Sequence, residues 1–76
     1  MANSLADARY RRIIDRLREA RLAASLTQAE LAEKLGRPQS FVAKVEGYER
    51  RLDILEFVQL AASIDVEASE LLDPDG

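Results

Sequence analysis

The chain contains no cysteine and no histidine. Disulfides, thiolate nucleophiles, imidazole or thiolate metal sites and His-based acid–base catalysis are therefore excluded, and the redox compartment is left unconstrained. An enzyme would have to rely on a carboxylate pair or a Ser–Lys arrangement, and neither stands in a recognisable setting, so no catalysis, cofactor or metal is expected. Long apolar runs are missing too. No segment approaches the roughly 18 apolar residues of a membrane span, and the first residues lack the apolar core of a signal peptide. A cytoplasmic protein is expected. The last absence is of positive charge: residues 53–76 hold seven acids and no base, a balance of -7, whereas residues 1–52 hold all 11 Lys and Arg against seven acids, a balance of +4. Such a chain is electrically polar, with a basic part able to face phosphate and an acidic part turned away from it.

At 76 residues the chain predicts a single small domain over 1–76 whose core is marginal enough for a dimer contact to add stability. It is organised around residues 26–46, LTQAELAEKLGRPQSFVAKVE. Thr27 offers an N-cap hydroxyl and Glu30 can return a bond to the Thr27 amide, so a helix starts here and runs over about 28–35. Leu31, Ala32 and Leu35 form its packing face. Gly36 suits the left-handed exit, and Pro38 can open a second helix over about 38–46. Val42 and Val45 are its buried positions, with Gln39, Ser40, Ala43 and Lys44 on the other face. Phe41 adjoins Val42 and cannot fully share the buried face. Two readings of it stay open: a ring packed on a thymine methyl or sugar, or a ring folded back as peripheral core.

Ahead of this stretch, Ser4 or Asp7 can cap a first helix reaching about Ala24. Its apolar line is Ile13, Leu17, Ala20 or Arg21, and Ala24, widened by Tyr10 and Ile14. It carries six arginines, of which Arg9, Arg12 and Arg16 share a face, and Asp15 and Glu19 are expected to pair with some of them. Gly47–Arg51 reads as a loop. Asp53, with Glu56 three residues on, caps a helix over Ile54–Ser63 whose inward stripe is expected to be Ile54, Phe57, Ala61 and Ile64. Leu55, Val58 and Ala62 make a second, partly exposed face. A short helix from about Glu67 to Leu72 is expected to dock Leu71, with Leu72 as a second candidate, before Asp73–Gly76 ends the ordered chain. No strand, repeat or low-complexity linker is apparent.

Two short helices joined by a tight turn within a small bundle make a helix-turn-helix, whose second helix enters the DNA major groove. The string quoted above, followed by RRLDILEFVQLA and DVEASELL, resembles the Cro/C1-type, XRE-like helix-turn-helix family from about Tyr10 to Leu72. The likeness combines Gln28 after the cap, the small Ala32, the turn at Gly36, the Val42–Val45 pair and Glu46. It implies an all-α, lambda-repressor-like bundle of four to five helices.

Residue by residue, the resemblance implies that Gln28 bonds a backbone phosphate and that Gln39, Ser40 and Lys44 reach base edges. Arg50 and Arg51 fall in a loop that lies along the sugar-phosphate backbone, and Arg37 in the turn can reach a flanking phosphate. Arg21 and Glu46 match a buried structural ion pair between the first and third helices. The family usually has glycine at the positions of Ser25, Tyr48 and Asp65. Because glycine here falls one residue early, at Gly47, the exit from the third helix is expected to be shaped differently.

The function implied is sequence-specific binding of double-stranded DNA by a dimeric transcriptional regulator, a repressor, at a palindromic operator. One such domain covers only about 600–1,000 Å² of DNA, so relatives pair two recognition helices about 34–36 Å apart. Leu55, Val58 and Ala62, with the C-terminal segment, are the candidate homodimer face; the competing reading is that they pack against the last helix within one chain. The alternative is a protein-interaction module, such as an antitoxin or adaptor, that uses the same face on a protein partner and binds DNA weakly.

Overall fold

The computed structural model describes residues 7–72, which form five helices and no strand. They are α1 (Ala8–Ala23), α2 (Gln28–Leu35), α3 (Gln39–Glu46), α4 (Ile54–Ser63) and α5 (Ala68–Leu71). The possible cap at Ser4 and the tail over 73–76 lie outside the described residues. Asp7 caps α1 through a bond from the Arg9 amide. The reciprocal caps read from the sequence are present at Thr27–Glu30 and Asp53–Glu56. Pro38 is the N-cap of α3 rather than its first residue, and no side chain caps that helix start. Likewise Glu67 caps α5 instead of opening it.

One core joins the helices. Ile14 and Leu17 of α1, Leu31 and Ala32 of α2, Phe41, Val42 and Val45 of α3, Leu60, Ala61 and Ile64 from α4 and its end, and Leu71 of α5 are all buried. The face of α1 that packs is therefore the Ile14–Leu17–Arg21 line, with Ile13 only half-buried and Ala24 exposed. In α4 the expected stripe is partly wrong: Ile54 is 85% exposed, and Leu60 takes the central inward place. Ile54 is the first residue of α4, so α4 offers no preceding turn to cover it. Leu71 docks, while Leu72 is half-exposed.

Four helix exits share one backbone device. After α1, α2, α3 and α4, residues Ser25, Gly36, Tyr48 and Asp65 take the left-handed conformation, with φ of 61°, 68°, 61° and 64°. At each, that residue's amide bonds the carbonyl three back and the next amide bonds the carbonyl five back, as in Ser25 to Leu22 with Leu26 to Arg21, or Tyr48 to Val45 with Glu49 to Lys44. This is the Schellman closure. The expectation of a differently shaped exit after α3 fails here: Gly47 has an ordinary φ of -87°, and Tyr48 makes the turn. The left-handed region costs a side chain on the order of 1 kcal/mol. Tyr48 has compensation, because its hydroxyl donates to Asp15 and the Arg11 guanidinium lies over its ring. That bond holds the phenol pKa above its usual value, and it gives Asp15 a partner other than the arginines expected.

Arg21, 6% exposed, crosses from α1 to the end of α3. Its Nε and Nη2 donate to the two Glu46 oxygens at 2.7 and 2.8 Å, and Nη1 donates to the Leu26 carbonyl at 2.7 Å. Among the described residues no buried side-chain nitrogen or oxygen lacks a partner. Burial costs a charge pair much of its attraction, so the bonds that Arg21 makes through all three guanidinium nitrogens are what make the bridge tenable. Arg16 fastens the other end of the bundle, donating to the Leu71 carbonyl at 3.1 Å.

Asp65 and Tyr48 take the same left-handed conformation with different support. Replacing Asp65 by Gly should raise stability by about 0.5–1 kcal/mol, while Tyr48→Gly should lower it because ring and hydroxyl contacts vanish. Urea denaturation of the two variants checks the opposite signs.

Candidate nucleic-acid interface

The helix-turn-helix is α2, the turn 36–38 and α3. The Thr27 cap and the Gly36 exit set the length of α2, and Leu31 and Ala32 seat it on the core. Val42 and Val45 then bury one side of α3, which turns Gln39, Ser40 and Lys44 outward, all exposed. Ala43 between them is half-buried. With Pro38 contributing no side-chain cap, the first amides of α3 share the exposed end with Gln39 and Ser40. A helix start of this kind favours negative charge.

Phe41 is 8% exposed. Of the two readings open for it, the structure shows the ring folded into the core, so it backs α3 rather than offering its face to a thymine methyl. Guanidinium carbons of Arg37 and Arg50 lie 4.4 and 4.7 Å from its centroid, within cation–π range.

Those two arginines meet at Glu56, whose sequence position marks it only as the α4 capping partner of Asp53. Glu56, 8% exposed, accepts from Arg50 Nη1 and Nη2 at 2.8 and 2.9 Å and from Arg37 Nη2 at 2.9 Å. The same carboxylate takes the Asp53 amide at 3.1 Å, completing the α4 cap. Glu56 thus links the turn before α3, the loop after it and the start of α4. Its carboxyl pKa falls to about 2, chiefly through the Arg50 bonds, helped by the Asp53 amide and Arg37 and opposed by burial. The available signal was an acid one turn inside a helix that follows the basic pair Arg50–Arg51.

Gln28 is half-buried, and its amide nitrogen donates to Glu46 Oε1 at 3.1 Å, joining the Arg21 bridge. Arg51 is exposed, and its carbonyl accepts from Arg50 Nη1 at 3.0 Å. Leu55 and Val58 are 64% and 47% exposed, and Ala62 lies open beside them. Gln39, Ser40 and Lys44 therefore form one exposed face, with Arg37 and Arg50 at its edge. The Leu55–Val58–Ala62 face is on a different helix. No helix among the described residues is long and apolar enough to cross a membrane, and no group of three or more acidic side chains among them could hold a metal.

A family model described as Helix-turn-helix matches residues 17–71. The chain is similar to a solved XRE-family-like protein from Pseudomonas syringae pv. tomato, at 52% identity over 88% of this chain and 82% of that one, with a TM-score of 0.83. It is also similar to the restriction-modification controller protein C.AhdI from Aeromonas hydrophila, at 37% identity over 78% of this chain and 86% of that one, with a TM-score of 0.72. No curated protein matches by sequence.

Acid should report on Glu56. A carboxylate whose folded pKa lies below its unfolded value stabilises the fold above about pH 4.5, and that contribution is lost as pH falls toward about 2. Wild type should therefore lose more stability between pH 5 and 2.5 than Glu56→Gln does, measured by urea midpoints; parallel losses would contradict the assignment.

Proposed function

Because this chain belongs to the Cro/C1-type, XRE-like helix-turn-helix family of DNA-binding proteins, we propose that it occupies a palindromic operator as a homodimer and represses transcription there. The observation that carries this reading is the outward face of α3. Gln39, Ser40 and Lys44 are exposed together on a helix whose opposite side is buried. Gln39 can bond adenine N6 and N7, Lys44 can donate to guanine O6 or N7, and Ser40 can serve either base. Phe41 supports this face from behind and makes no base contact.

Backbone contacts fall to Gln28, Arg37, Arg50 and Arg51. One Gln28 amide hydrogen is taken by Glu46, which leaves the second to donate to a phosphate. The exposed arginine edges neutralise phosphates and release counterions. The acidic C-terminal part, without a base after Arg51, would be held away from the duplex by repulsion. The setting is cytoplasmic and the protein has no enzymatic role.

The Leu55–Val58–Ala62 face supplies the homodimer seam. Its exposure also favours a second reading, a protein partner seated there with DNA binding secondary, as in an antitoxin or adaptor.

Selection from a randomised duplex pool should enrich a palindrome with half-sites about one helical turn apart. Gln39→Ala or Lys44→Ala should cost about 1–3 kcal/mol on that site and relax one position per half-site. Enrichment of no sequence would refute operator reading and favour the protein partner. Separately, Val58→Glu should give a monomer in sedimentation and weaken operator binding at least tenfold; an unchanged dimer would move the seam elsewhere.

A further inference from the structure

The cluster of Glu56, Arg37, Arg50 and Phe41 has a property that capping alone leaves unexplained. Three guanidinium hydrogen bonds converge on one carboxylate whose side chain is 10% exposed, while the two arginine side chains remain 40% and 38% exposed. Each guanidinium is planar and presents donors along several edges, so it can keep its inner edge on Glu56 and offer an outer edge to a second anion. The arginines cannot both leave. A carboxylate this buried, stripped of its partners, would carry an uncompensated charge. Phe41 adds a further restraint, since both guanidiniums rest on its ring and the ring is anchored in the core on the reader helix itself.

We infer that Glu56 is a specificity-determining positioning residue. It holds Arg37 and Arg50 at fixed places beside α3, so that they meet phosphates only when α3 sits in its correct register in the groove. The inference rests on the DNA-reading role proposed above. The physical reason is that phosphate contacts carry no sequence information of their own. A mobile arginine finds a phosphate at any register and strengthens binding to every duplex alike. An arginine fixed by a buried carboxylate reaches a phosphate from one geometry only, which couples a sequence-blind contact to the fit of the base-reading face. Glu56 touches no DNA; it acts through the two arginines.

The test compares affinities for the selected operator and for a scrambled duplex, each at several salt concentrations. In Glu56→Gln the cap acceptor is kept but the carboxylate charge that fixes both arginines is removed, which loosens them. Scrambled-duplex affinity should rise about three- to tenfold, its salt slope should steepen by about one to two contacts, and the operator-to-scrambled ratio should fall at least fivefold. Glu49→Gln removes the same charge from an exposed residue beside Arg50 and should leave the ratio within twofold of wild type. A ratio in Glu56→Gln equal to that of Glu49→Gln would overturn the inference and leave Glu56 as a cap. Should Glu56→Gln not fold, Arg37→Gln decides, because Arg50 still neutralises the carboxylate. A loss confined mainly to the operator supports positioning, and an equal loss on both duplexes overturns it. A wild-type protein with no operator preference refutes the DNA-reading role itself and takes this inference with it, an outcome distinct from a preference that the variants leave intact.

Discussion

The structure depends first on the bridge between Arg21 and Glu46. In so small a domain the reader helix α3 is only two turns long, too short to hold its direction by its own hydrogen bonds. Val42 and Val45 seat it, but apolar packing alone is non-directional. The two-pronged bond from Arg21 sets the rotation of the α3 end against α1, and the third Arg21 bond, to the Leu26 carbonyl, ties in the link before α2. Gln28 extends the same network to the start of α2. The three elements that make and carry the helix-turn-helix therefore share one buried charge pair. Removing either partner would leave the other charged and enclosed, at a cost of several kcal/mol.

At the other end of α3, a second ion cluster does comparable work around Glu56. Its ionic partners come from the turn before the helix and the loop after it, and its backbone bonds start α4. The reader helix is thus gripped by charge at both ends and by aliphatic packing between. Its outer face is left to the exposed side chains of Gln39, Ser40 and Lys44. On the proposed reading this division separates folding from recognition: the residues that would choose a sequence can change without disturbing the core.

What could be read from the chain in advance was whatever local chemistry decides. The Thr27–Glu30 and Asp53–Glu56 caps, the Gly36 exit and the Val42–Val45 face are set within a few residues, and all are found. The Arg21–Glu46 pair came from the family resemblance rather than from spacing. The misses are tertiary. Helical periodicity offers α4 several apolar faces and does not say which one meets α2 and α5, so the inward place expected of Ile54 belongs to Leu60. The exit after α3 departs from expectation because glycine is only the easiest left-handed residue. Tyr48 fills the same turn with its ring held by Arg11 and its hydroxyl by Asp15, contacts between residues 37 and 33 positions apart. The fate of Phe41 likewise turned on two arginines brought to it by the fold.

The central claim is that DNA meets the outer face of α3 and the arginine edges beside it. Backbone amide shifts followed by NMR during titration with the selected operator test this most directly. The largest changes are expected at Gln39, Ser40 and Lys44, with lesser ones at Gln28, Arg37, Arg50 and Arg51, and none along the acidic α5. Changes centred on α5, with Gln39 and Lys44 unmoved, would contradict it.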